Sequence, residues 1–184
     1  MAAIVNAPKS MKLLALCGSQ RTRSMSGGLL RACRDLAPSG VDVILFETHK
    51  QLPLFNPELA PLPAGVVALY EAVDAADAVV IASPEYAHGV TGTIKNTLDW
   101  LVGHPGFVGK PVALLNPAWE SHHADDSLRE ILRMMSAELM PDACVRIPVI
   151  GSGVAPDGIA SSARFAPAVQ AVLQAITQHL AARS

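Results

Sequence analysis

Five short, nearly all-apolar runs recur along the chain, at residues 13–17, 41–46, 78–82, 111–116 and 143–147. Runs of this kind, without polar alternation, suit strands buried on both faces. Between them the apolar positions change period. Leu29, Leu30, Cys33, Leu36 and Ala37 fall at helical spacing, as do Val66, Leu69, Tyr70 and Val73 within 64–76, and then Ile94, Leu98 and Leu101. Leu128, Ile131, Leu132, Met135 and Leu139 form a fourth set, and Val169, Val172, Leu173, Ile176 and Leu180 a fifth within 168–182. Each set predicts an amphipathic helix, the first stopped by Pro38-Ser39-Gly40 and the fourth capped near Asp125 and Asp126. The 49–63 stretch, with Pro53, Pro57, Pro61 and Pro63, reads as a loop whose Leu54 and Phe55 pack back on the domain.

Strands and helices in alternation imply a parallel sheet with helices on both faces. Right-handed crossovers leave few arrangements. For five strands they predict an α/β, flavodoxin-like three-layer sandwich in the order 2-1-3-4-5. In that order the chain reverses direction between strands one and three, and ligands bind beyond their carboxyl ends. Two polar stretches lie there, residues 18–26 and 83–92.

Length and charge narrow the reading. A chain of 184 residues fits one domain over 12–184 behind a loose leader over 1–11, and such a chain buries about 70% of its unfolded surface. The net charge of −2 supplies no basic patch for nucleic acid, and no apolar run is long enough to span a membrane. Cys17, Cys33 and Cys144 are odd in number and far apart, as expected of a reducing, cytoplasmic setting.

The first polar stretch, G-S-Q-R-T-R-S-M-S, holds the most chemistry. Gly18 allows a tight exit from the first strand, Ser19, Thr22, Ser24 and Ser26 supply four hydroxyls, and Arg21 and Arg23 supply charge. A helix follows, whose first N–H groups lack intrahelical partners and carry the positive end of the helix dipole. That arrangement is an anion site, and neither a dinucleotide fingerprint nor a triphosphate loop is present. Clustered hydroxyls beside an arginine suit a terminal phosphate monoester; a capped polar turn is the plainer alternative.

The chain resembles the NADPH-dependent FMN reductase family of flavodoxin-like quinone, chromate and azo-dye reductases. The resemblance rests on G-S-Q-R-T-R-S-M-S-G-G-L at 18–29 and S-P-E-Y-A-H-G-V-T-G-T-I-K-N-T-L-D-W at 83–100, and runs over about 12–150. It implies an FMN-dependent enzyme that passes hydride from NADPH or NADH to a small acceptor such as a quinone, free flavin, azo compound or metal oxyanion. Ser19, Arg21, Ser24 and Ser26 would hold the FMN phosphate. Pro84, Glu85, Tyr86 and Ala87 would edge the isoalloxazine, largely through backbone groups. The 94–100 helix would lie in a homodimer or homotetramer interface. Ser26 and Ala87 each stand where the family has asparagine. Where the family follows its fourth strand with a glycine-rich loop, this chain has N-P-A-W-E-S-H-H-A-D-D, and Trp119 is a candidate to stack on flavin or substrate.

Hydride chemistry of this kind belongs to the cofactor, so the sequence names no catalytic side chain. Two other readings remain open at this level. Residues 17–24 also satisfy C-x-x-x-x-x-R-S, the signature of low-molecular-weight tyrosine phosphatases, with Cys17 as nucleophile and Arg23 as phosphate clamp. That family also needs a late Asp-Pro pair, which this chain lacks. The other is a non-catalytic flavin- or phosphate-binding protein. His122 and His123 with Glu120, Asp125 and Asp126 match a metal site in composition alone, because adjacent residues point in different directions.

Overall fold

The computed structural model describes residues 10–47 and 51–183. Of the expected leader only Ser10 and Met11 are described, and Met11 already belongs to a strand; the rest, like His49 at the start of the predicted loop, lies outside the described residues. In chain order the elements are β1 (Met11–Cys17), α1 (Met25–Asp35), β2 (Val41–Leu45), α2 (Ala64–Ala75), β3 (Ala78–Ala82), β4 (Glu85–Tyr86), β5 (Gly89–Val90) and α3 (Gly92–Leu101). They continue with β6 (Pro111–Asn116), α4 (His123–Met134), β7 (Glu138–Leu139), β8 (Val145–Arg146) and α5 (Ala166–Ala181).

The main sheet runs β2-β1-β3-β6-β7, with β8 also on β6, and every pairing in it is parallel. Leu14 of β1 pairs with Ile44 on one side and Val79 on the other, which sets the register of the three strands that carry the site. β4 and β5 form a separate antiparallel hairpin. Counting only the main sheet, the order is the predicted 2-1-3-4-5.

Alternation along the buried strands divides the core into two layers. Leu13 and Ala15 face Leu29, Leu30 and Cys33 of α1 and Val169, Val172 and Leu173 of α5. Leu14 and Leu16 face the other way, onto Val66 and Leu69 of α2, Ile94 and Leu98 of α3, and Leu128 and Leu132 of α4. Strands buried from both sides in this way need apolar residues at every position, which is why their sequences lack alternation.

Besides Leu139, which lies in β7 beyond the end of α4 and not inside that helix, three expectations are corrected. The fifth strand, expected at 143–147, is two short pieces: Pro111 and Val112 pair with Glu138 and Leu139, and Leu115 and Asn116 with Val145 and Arg146. A 3-10 turn at Pro141–Ala143 pushes the chain out between them, and Pro141 has no N–H for the ladder. Second, Leu54 does not pack back; it is 84% exposed. Only Phe55 meets the domain, edge-on to Trp100 at 5.1 Å. Third, Asp125 and Asp126 do not cap α4. They sit inside its first turn, which begins at His123, and a carboxylate from β4 does the capping.

Candidate functional site

Strand β1 ends at Cys17 and the chain turns at once against β3. The Gly18 N–H donates to Ala82 O at 2.8 Å, and a Cβ on Gly18 would lie 2.1 Å from Ser83 Oγ. Only glycine fits that approach. The two polar stretches are then bolted together by Thr91. Its hydroxyl donates to Gly18 O at 2.6 Å, lies 3.4 Å from Ser83 Oγ, and accepts from the Ile94 N–H as the N-cap of α3. Sequence reading passed over Thr91, although a threonine just before a helical period is the signature of an N-cap.

From Gly18 the loop runs to α1. Ser24 is the α1 N-cap: its Oγ accepts from Gly27 N at 2.9 Å, and its carbonyl accepts from Gly28 N. Of the four N–H groups that a helix start leaves without intrahelical partners, those of Met25 and Ser26 remain. The buried Ser19 accepts from the Arg21 N–H at 3.3 Å. Both serine oxygens act as acceptors here, which leaves the Ser19 hydroxyl hydrogen uncommitted in these bonds, while Ser24 Oγ also lies within reach of Cys17 Sγ, where either atom can donate. Cys17, Ser19, Arg21 and Ser24 line a cavity of about 180 Å³. Arg21 also borders a larger cleft of about 460 Å³, between Gly18 and Gln20 on one side and Tyr86, Thr91 and Thr93 on the other.

The floor of that cleft is braced from α3. Asn96 donates to Pro53 O at 2.9 Å and accepts from the Phe55 N–H at 2.8 Å, and the Trp100 indole N–H donates to the same Pro53 oxygen. These groups pin the proline-rich loop and place Leu52 and Leu54 in the cleft wall. Lys95 lies on the exposed face of α3 and pairs with Asp99.

The structure thus brings Ser19, Arg21 and Ser24 together and sets Tyr86 across the cleft from Arg21. Pro84 is buried beneath. Ala87 and His88 form the exposed apex of the β4–β5 hairpin, both left-handed at φ +50° and +57°. Ser26 is buried and borders neither cavity. Trp119 also borders neither; it stands 71% exposed on the β6–α4 loop. That loop is tied at its base by the buried Asn116, which accepts from the Ala118 N–H and donates to Ser121 O. Glu85 turns away from the cleft and accepts from the Ala124 N–H at 2.9 Å in the first turn of α4. That hydrogen bond lowers the Glu85 pKa below the ordinary carboxylate value, against the opposing effect of burial, and His88 adds to the lowering.

Cys17 Sγ lies 3.5 Å from Ser19 O and 3.9 Å from Ser24 Oγ, whereas Arg23 is exposed and borders neither cavity. A phosphatase loop would need that arginine folded over the thiol. His122, His123 and Asp125 also diverge: His122 meets Arg146, His123 meets His88 and Asp125 meets Arg129.

Residues 11–150 match the family model described as NADPH-dependent FMN reductase. The chain belongs to the NADPH-dependent FMN reductase family. A quinone reductase of Escherichia coli K12 is 31% identical over 140 residues, which cover 72% of this chain and 74% of that protein. An NAD(P)H-dependent FMN reductase of Pseudomonas aeruginosa is 35% identical over 109 residues, covering 57% and 58%. Among solved structures, the flavoenzyme NAD(P)H:(acceptor) oxidoreductase FerB of Paracoccus denitrificans superposes with a TM-score of 0.79 at 26% identity, over 92% of this chain and 97% of that one. As a member of this reductase family the chain is an FMN-dependent NAD(P)H oxidoreductase, and the phosphatase reading of 17–24 falls away.

Proposed function

We propose that the 18–26 loop seats the FMN phosphate, that 84–87 edge the isoalloxazine, and that the enzyme delivers electrons from NADPH or NADH to a small planar acceptor, a quinone foremost. One observation carries the reading. Thr91 joins the two loops at the reversal point of the sheet and leaves between them a cleft within the range of roughly 300–1,000 Å³ usual for cofactor sites.

The residues present fit a phosphate monoester on a flat ring. Met25 and Ser26 offer helix N–H groups, Ser19 and Ser24 offer hydroxyls, and Arg21 adds charge at the mouth. Backbone groups of Pro84 to Ala87 lie along the hairpin where a ring edge would be read. When bound, FMN supplies hydride acceptance and onward electron transfer. The chain binds, orients and shields, and no side chain is assigned as acid or base. Trp119, exposed on a braced loop, is the candidate stacking surface for cofactor or acceptor. The quinone assignment is supported by the E. coli relative, which bears that name. A cytoplasmic homodimer or homotetramer is the form we expect.

The test is an absorption spectrum of purified protein with FMN, followed by anaerobic NADPH and then a quinone. The expected result is a flavin spectrum that survives desalting, bleaches with NADPH and returns with quinone. A protein that takes up no flavin at millimolar FMN would remove the proposal.

A further inference from the structure

Glu85 belongs to the S-P-E-Y stretch, yet its side chain faces away from the cleft. Only 11% of that side chain is exposed, and both carboxylate oxygens are engaged. Oε2 accepts from the Ala124 N–H of α4 at 2.9 Å, and Oε1 lies 3.1 Å from His88 Nδ1 at the hairpin apex. The His88 ring in turn meets His123, the first residue of α4, edge-on at 4.4 Å. One carboxylate therefore reaches the apex of its own hairpin and the start of a helix thirty-nine positions away in sequence.

At the α4 terminus, Glu85 supplies the side-chain acceptor that the helix's own N-cap residue does not. His122 stands at the N-cap position in a helical conformation and makes no capping bond with its side chain. The loop that leads into it lacks the glycines that would let backbone pack on backbone. On the other side, the hairpin apex holds two consecutive non-glycine residues in the left-handed region, a conformation that persists only when the surroundings impose it. Glu85 meets both needs with one group.

We propose that Glu85 is a positioning residue that staples the β4–β5 hairpin to the first turn of α4, so that the turn beside the cleft and the loop carrying Trp119 move as one body. The staple stands on the geometry alone; its consequence for flavin binding rests on the reading of the cleft given above. Reach holds the staple, and charge adds to its strength without being required for it. A glutamine keeps an oxygen for the Ala124 N–H and an amide for His88, whereas an aspartate keeps the charge but is one methylene too short.

The experiment compares wild type with Glu85→Gln, Glu85→Asp and Glu85→Ala. Hydrogen exchange is read on the protein without flavin, at amides 86–90 and 123–126. The Asp and Ala variants are expected to exchange at least tenfold faster there and the Gln variant within threefold of wild type, with exchange in β1 and β3 unchanged. FMN affinity, read from quenching of flavin fluorescence, is expected to fall about tenfold in Asp and Ala and to be held by Gln. Wild-type exchange in the Ala variant would overturn the staple, as would an Asp variant that behaves like wild type while Gln fails. Fast exchange with unchanged FMN affinity would overturn its role toward the cofactor. If one of Ala and Asp fails to fold, the other is compared with Gln and decides, and a fast-exchanging Gln variant contradicts the reach argument. Failure of wild type itself to bind FMN would remove the proposed function and leave the exchange comparison intact.

Discussion

At the residue scale, Glu85 and Ala87 show how a short motif carries conformational and electrostatic demands at once. The Ala124 N–H stabilises the ionised form of Glu85, so its folded pKa lies below the ordinary glutamate value of the unfolded chain. A carboxylate depressed on folding contributes stability that is fully present above the unfolded pKa and is lost as pH falls through the folded one. His88, His123 and Asp125 surround it, the last held by Arg129. The expected outcome is that the small difference in melting temperature between wild type and Glu85→Gln is constant near pH 6 and shrinks as pH falls through the carboxylate range to 3. A constant difference across that range would contradict it. Ala87 supplies a second case. At φ +50° an alanine bears a strain that asparagine tolerates and glycine escapes. Ala87→Asn should raise stability by about 0.5–1 kcal/mol, seen as a shift in urea midpoint without a change of slope.

At the element scale, the junction of β1, β3 and α3 holds the site together. Thr91→Val keeps the shape of the side chain but strips the Gly18 carbonyl of a 2.6 Å hydrogen bond in a buried position. A loss of about 1–3 kcal/mol is expected in urea unfolding, with Thr91→Ser restoring most of it. Much of this level was legible beforehand. Strands buried on both faces announce themselves by continuous apolar runs, so β1, β3 and β6 fell where the sequence put them, and the order of the main sheet followed from handedness. The parts that were not legible depend on contacts distant in sequence. The capping of α4 comes from Glu85, outside its own segment, so local preference pointed to Asp125 and Asp126 instead. The hold on 53–55 comes from Asn96 and Trp100, which the family resemblance marked only for an interface between copies. The division of the fifth strand hinges on Pro141, whose effect on pairing depends on which neighbour it faces.

At the scale of the whole molecule, the candidate site residues separate by how local their cues are. Ser19, Arg21 and Ser24 gather at one cavity because a single tight loop carries them, and their grouping was visible in the spacing. Ser26 was singled out in the same loop and Trp119 by a departure from the family pattern, yet burial in one and exposure in the other are properties of the packed fold. The interrupted margin formed by β7 and β8 has a consequence of another kind. An uncovered outer strand is a template on which a neighbouring chain can polymerise. Here that margin offers two rungs at each end and a proline-led detour between them. An incoming strand finds no continuous ladder to extend, so the open sheet is protected on this side from fibril growth.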